Sequence, residues 1–147
     1  MAWIDNYFEG IEDESIESRV PFFDEGEYTV QVERVEHYKS RKRKDLWRVY
    51  TRVMASTNPK VRQGSERLWQ IDMNLDGARR RIKQFVVALL GEEVELTAET
   101  FVTLCSEKQP ATGVLVDVVA EQRTSSEGKT YLSVAWSASN KQAPVPF

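Results

Sequence analysis

One stretch of this chain repeats its apolar side chains at the period of an α-helix, and stretches with the period of a β-strand lie on both sides of it. Ala78, Ile82, Phe85, Val86, Leu89 and Leu90 recur at spacings of three and four before Gly91, which collects them on one helical face that must be buried against another element. Ahead of it, Tyr28, Val30 and Val32 alternate with polar residues, Leu46 to Met54 is rich in β-branched and aromatic side chains, and Arg67 to Met73 carries Trp69 and Ile71; each reads as a strand. Behind it, Thr112 to Ala120 is nearly continuous β-former, and Tyr131 to Ala138 sets Leu132, Val134 and Trp136 on one side. Three strands, a helix and two strands make a mainly β domain in which one helix has to close one sheet.

Local signals refine this order. In the first strand Val35 falls on the opposite parity from Val30 and Val32, so an extra residue near Glu33-Arg34 is expected as a bulge that bends the strand. Ser56-Thr57-Asn58-Pro59 ends the second strand and Gln63-Gly64 marks a turn. Asp76 is expected to cap the helix, Gly91 to end it, and a shorter helix to start at Thr97 and include Phe101, Val102 and Cys105. The polar run EQRTSSEGKT reads as the loop of a final hairpin.

A chain of 147 residues, 41% apolar with four tryptophans, fits one compact core. The reading divides it into an acidic, aromatic arm at 1–25, a domain at 26–139 and a tail at 140–147. In the arm, Trp3, Ile4, Tyr7, Phe8 and Ile11 are spaced as on a helix, with acids in the gaps. No apolar run approaches the roughly 18 residues of a membrane span, and the start has no cationic segment followed by an apolar one, so no membrane contact and a cytoplasmic location are expected. Cys105 is the single cysteine; its apolar neighbours read as core, and no disulfide or thiolate-rich zinc site can form within the chain.

The net charge of -3 conceals a strong segregation. Residues 1–27 hold nine acids and one base, whereas 28–83 hold fifteen bases and six acids. The densest part is KSRKRKDLWRVYTR, from Lys39 to Arg52, in which Arg41, Lys42, Arg43 and Lys44 run into a strand of alternating cations and rings. Single-stranded nucleic acid is held by that combination, cations tracking phosphates and flat rings stacking on bases. On the second strand Trp47, Val49 and Val53 share one parity and read as core; Leu46, Arg48, Tyr50 and Arg52 share the other. Arg48 and Arg52 are therefore expected on phosphates and Tyr50 on a base, with Lys60, Arg62 and Arg67 extending the track. For Trp69, which shares a parity with Ile71, core burial competes with stacking. Arg79, Arg80 and Arg81 stand on the first helical turn, where the helix dipole disfavours cations, so a compensating anion is expected there, the acidic arm included.

Catalysis finds little support. His37 is the only histidine and lies in a strand, and no HExxH, GxSxG or GxxxxGK[ST] pattern occurs. Asp72 and Asp76 are too few carboxylates for a metal nuclease. No catalytic residue, metal or cofactor is expected.

The order of elements resembles the oligonucleotide-binding fold, a five-stranded Greek-key barrel that binds along strands 2 and 3 and the flanking loops. The stretch from GEYTVQVERVEHYKSRK through LWRVYTRV, ERLWQIDMNL and the following helix, about residues 26–137, is similar to phage-type single-stranded DNA-binding proteins. The resemblance implies a helix between strands 3 and 4 of the barrel and two clamp loops, the Lys39–Lys44 run and the loop carrying Arg123 and Lys129. It implies sequence-tolerant binding of single-stranded DNA in replication or recombination, with proteins of those processes as partners, in a bacterial cell or phage-infected host; RNA stays open as an alternative. The terminal Val145-Pro146-Phe147 is similar to the Pro-Phe tip of bacterial single-stranded DNA-binding proteins, although no acidic run precedes it. The acidic arm is expected to compete with DNA for the groove or to dock on a neighbouring subunit of a homo-oligomer. The competing expectation is a non-enzymatic adaptor that uses the barrel to dock a protein.

Overall fold

The structure, a computed structural model, describes residues 20–139; the expected helix-like arm from Trp3 to Ile11 and the Val145-Pro146-Phe147 tip lie outside the described residues. The elements follow the order β1 (Gly26–Lys39), β2 (Asp45–Ser56), β3 (Glu66–Asp72), α1 (Ala78–Leu90), α2 (Ala98–Leu104), β4 (Leu115–Thr124) and β5 (Thr130–Ala138). The strands form one antiparallel sheet in the order β3-β2-β1-β4-β5. The fold is mainly β, with two short helices.

The long strand β1 organises the sheet, and its slipped alternation has the expected cause. Val32 pairs with Thr51 and Arg34 with Tyr50, so Glu33 is an extra residue on β1. The bulge turns Val35 back to the side of Val30 and Val32, and all three are fully buried. A second bulge, which alternation alone does not reveal, lies on β2, where Ala55 pairs with Thr29 and Val53 with Val30, leaving Met54 over. β4 pairs only with Gly26–Gln31 of β1. Beyond that, Val32 bonds Gly113 and Val114 through its backbone, and the Gln109 side-chain amide exchanges two 2.8 Å hydrogen bonds with the Val35 backbone.

The helix closes the sheet as its period requires. Ala78, Ile82, Phe85, Val86 and Ala88 of α1 are buried, and Leu89 and Leu90 pack against the same core. Phe85 lies 4.7 Å from Trp136 on β5 and 6.0 Å from Trp69 on β3, ring centre to ring centre. Those two tryptophans are 5.3 Å apart, so the edge strands of the sheet converge on one helical side chain. Tilted ring pairs of this kind add about 1 kcal/mol each beyond their buried area.

The ends of the helices show one correction. Gly91 N–H donates to Val87 O at 2.8 Å as expected, and α2 starts after Thr97, whose N–H donates to Thr100 Oγ1. Asp76 does not cap α1. Gly77 is the N-cap, in the left-handed conformation with φ 82° and no side-chain cap bond. The turn that closes through Ala78 N–H to Leu75 O brings a glycine into the capping position, and Asp72 rather than Asp76 accepts a local backbone bond, from Asn74 N–H.

Candidate nucleic-acid interface

The two faces of β2 divide as their parity predicts, but the second face is not a bare groove. Trp47, Val49 and Val53 are in the core. Arg48 and Tyr50, on the other side, are each only 8% exposed. Register places Glu36 and Gln70 beside Arg48, and Arg34 and Leu68 beside Tyr50. Arg48 Nε donates to Gln70 Oε1 at 2.8 Å, its Nη1 lies 3.5 Å from Glu36 Oε1, and its guanidinium stacks 4.0 Å from the centre of the Tyr38 ring. The Tyr50 hydroxyl donates to the same carboxylate oxygen of Glu36 at 3.1 Å, and Arg34 pairs with the other. Burial, and after it the Glu36 charge, push the Tyr50 phenol up to about 12. Arg52 is held by Glu33 at 2.8 Å, Glu66 at 2.9 Å and Gly64 O at 2.7 Å.

These contacts give the strand-2 residues partners within the fold that the sequence does not show. Arg48 and Arg52 spend their charge on carboxylates of the neighbouring strands, and the Tyr50 ring is covered. A phosphate reaching Arg48 would have to displace Glu36 and leave it partly buried without a counter-charge. For Trp69 the structure agrees with the core reading: it is 6% exposed, against Phe85 and Trp136, so its ring has no face to offer a base. Arg67 lies on the core side of β3, opposite Thr51, with its guanidinium 3.8 Å from Asp24 and donating to Glu66 O. It does not continue a track with Arg48.

Most of the candidate-site cations that stay exposed lie in or beside turns. Lys39 ends β1, and Arg41, Lys42, Arg43 and Lys44 are all exposed in the β1–β2 turn. The structure closes this run as a hairpin. Ser40 N–H donates to Lys44 O at 2.9 Å, Arg43 N–H to Ser40 O at 2.8 Å and Lys44 N–H to Ser40 Oγ at 3.2 Å. Arg43 takes the left-handed conformation, φ 60°, at the position where a turn followed by a bulge ordinarily takes glycine. Lys60 and Arg62 are exposed in the β2–β3 connection.

The β4–β5 turn has the same construction. Ser125 N–H donates to Lys129 O at 2.8 Å, Gly128 N–H to Ser125 O at 2.9 Å and Lys129 N–H to Ser125 Oγ at 3.2 Å, with Gly128 at φ 83°. Ser40 matches Ser125, Arg43 matches Gly128 and Lys44 matches Lys129. The turn is shorter than the sequence suggests, because the strands continue to Thr124 and resume at Thr130. Arg123 is therefore a strand residue, directly opposite Tyr131 and 3.5 Å from Glu121.

Tyr131 is an exposed ring that the sequence reading left out of the candidate site. It is 44% exposed and, with Phe22, one of two exposed aromatics among the described residues. The signal was available: counting back from Lys129 across a five-residue turn pairs Tyr131 with Arg123. Along β1 the two hairpins lie at opposite ends, one after Lys39 and the other beyond the pairing of Gly26 with Ala120, so register does not set them side by side.

No group of three His, Cys, Asp or Glu placed to hold a metal occurs among the described residues. Burial pushes the Cys105 thiol up to about 11, which keeps it protonated and unreactive near neutral pH. No helix among the described residues is long and apolar enough to cross a membrane. No protein-family model matches the chain, and no curated protein is significantly similar to it.

Proposed function

We propose that this protein binds single-stranded DNA without strong sequence preference, through its two serine-closed hairpins rather than through the face of β2. One observation carries the reading: the Ser40–Lys44 turn presents four consecutive exposed cations on a closed backbone, while the cations beside it on the sheet are neutralised internally. Tyr131, between Arg123 and Lys129, supplies the exposed ring for a base. The strand order β3-β2-β1-β4 agrees with a Greek key, and the approach of Trp69 to Trp136 agrees with a partly open barrel of the oligonucleotide-binding kind; both support the reading, as does the resemblance to phage-type single-stranded DNA-binding proteins. A role in replication or recombination is part of the same proposal.

The test is fluorescence anisotropy of a labelled oligothymidine at two salt concentrations. Affinity should fall with salt with a slope of about -0.7 per phosphate neutralised, and replacing Arg41, Lys42, Arg43 and Lys44 together by Ala should flatten that slope by up to about 2.8. Oligouridine as competitor reports on RNA. Absence of binding at low salt, or a wild-type slope in the fourfold variant, refutes the proposal.

A further inference from the structure

A second surface differs in chemistry from the hairpins. Between α1, the connection after Gly91 and α2 lies an open cleft of about 1190 Å³. Its floor and walls are apolar, with Trp47, Met73, Ile82, Val94, Leu96 and Phe101 among the lining residues. Val94 is 43% exposed, and the Trp47 indole N–H has no hydrogen-bond partner. Arg79, Arg80 and Lys83 also line it, against a single carboxylate, Glu92. None of the three cations is exposed for want of room in the core; they sit on the solvent side of α1, with no acid in its first turn. Among the described residues none of them makes an ion pair. Arg79 and Arg80 stand in the first turn, where the helix dipole disfavours cations, and Lys83 follows in the next turn; an anionic ligand relieves their repulsion of one another and of the dipole.

We propose that this cleft docks an acidic amphipathic peptide of a partner protein, its large apolar side chains on the Trp47–Val94–Phe101 floor and its carboxylates on Arg79, Arg80 and Lys83. The chemistry favours a peptide over a nucleic acid. A floor of aliphatic and sealed aromatic side chains gives bases no exposed ring to stack on, whereas apolar anchors in a groove with a charged rim are the recognition mode of an amphipathic helix. The size agrees, because about 1190 Å³ is above the usual small-molecule range of about 300–1,000 Å³.

The experiment uses the full chain and a fluorescein-labelled sixteen-residue synthetic peptide with Leu and Phe at helical spacing and Glu and Asp elsewhere. Saturable binding is expected, weakened about tenfold by R79E/R80E/K83E, where three attractive rim charges become repulsive. Val94→Asp, an exposed change that leaves the core intact, should weaken it comparably, and a peptide with Lys in place of its acids should not bind. Oligothymidine should not compete, and oligothymidine affinity, measured separately, should survive Val94→Asp, which separates this proposal from the one for the hairpins. Equal affinity of the acidic peptide for wild type and both variants overturns it, as does displacement of the peptide by oligothymidine. Dimerisation in sedimentation that the peptide reverses would assign the cleft to a second copy, and either that or the absence of saturable peptide binding would also overturn it.

Discussion

Arg43 is where the hairpin's stability and its proposed duty pull apart. With φ at 60°, its side chain is held in the left-handed region, which costs an L-residue about 1 kcal/mol or somewhat more. Arg43→Gly removes that strain but frees the unfolded chain, which returns part of the gain, so the net expectation is about 0.5–1 kcal/mol of added stability. For a domain of this size that is a rise in Tm of about 2–4 °C. Arg43→Ala keeps the strain and should melt close to wild type. Both substitutions delete the same cation, so both should flatten the salt dependence of oligothymidine binding by about 0.7. The two measurements are thermal unfolding followed by circular dichroism and anisotropy titration across salt. Equal melting of the Gly and Ala variants would refute the backbone argument; a wild-type salt slope in both would refute the placement of this guanidinium on a phosphate. The twin hairpin supplies the converse: Gly128→Ala, at φ 83°, should lose about 1 kcal/mol.

Three other outcomes follow from the same geometry. Tyr131→Ala should leave urea unfolding almost unchanged, since the ring is exposed, yet weaken oligothymidine by about 1–3 kcal/mol if the ring stacks on a base. Glu36→Gln should cost about 2–3 kcal/mol in urea unfolding, just under the range for breaking a buried ion pair because the carboxylate is partly exposed, and an unchanged midpoint would remove Glu36 as the centre of the Arg48–Tyr50–Arg34 network. Stability should also fall at high pH. The Tyr50 phenol is held at about 12 against an ordinary 10, and the Cys105 thiol at about 11 against 9. The native state keeps those protons where the unfolded chain has lost them, so their contribution is whole below pH 9 and drains away as pH rises to 12. Urea midpoints across that window should fall, and less steeply in Tyr50→Phe combined with Cys105→Ala; an identical fall in the double variant would contradict the assignment.

The backbone was legible because period and punctuation act locally. The helix over Ala78–Leu90, the bulge at Glu33 and the glycine end at Gly91 each depend on a few adjacent residues, and each lies where the sequence predicts it. The cap at Asp76 failed for a local reason too, a turn that brings Gly77 into position first. The site was less legible because availability of a charge is a long-range property. Arg48, Arg52 and the tip cations look alike in sequence, four bases and two bases separated by a few residues. What separates them is the content of the neighbouring strand at one register. Glu36 reaches Arg48 and Tyr50 only because the extra residue at Glu33 shifts the pairing of the whole upper half of β1. Without that shift Glu36 would face the core and Arg48 would face solvent. Lys42, Arg43 and Lys44 lie beyond the last β1–β2 pair, Lys39 with Asp45, so strand register does not choose their neighbours. The bulge that bends the sheet therefore also decides which strand cations are spent on the fold. Deleting Glu33 is a direct probe of this step: the register of β1 against β2 should slip or the domain unfold, and retention of the Tyr50–Glu36 bond by nuclear magnetic resonance would show that the shift does not set the network.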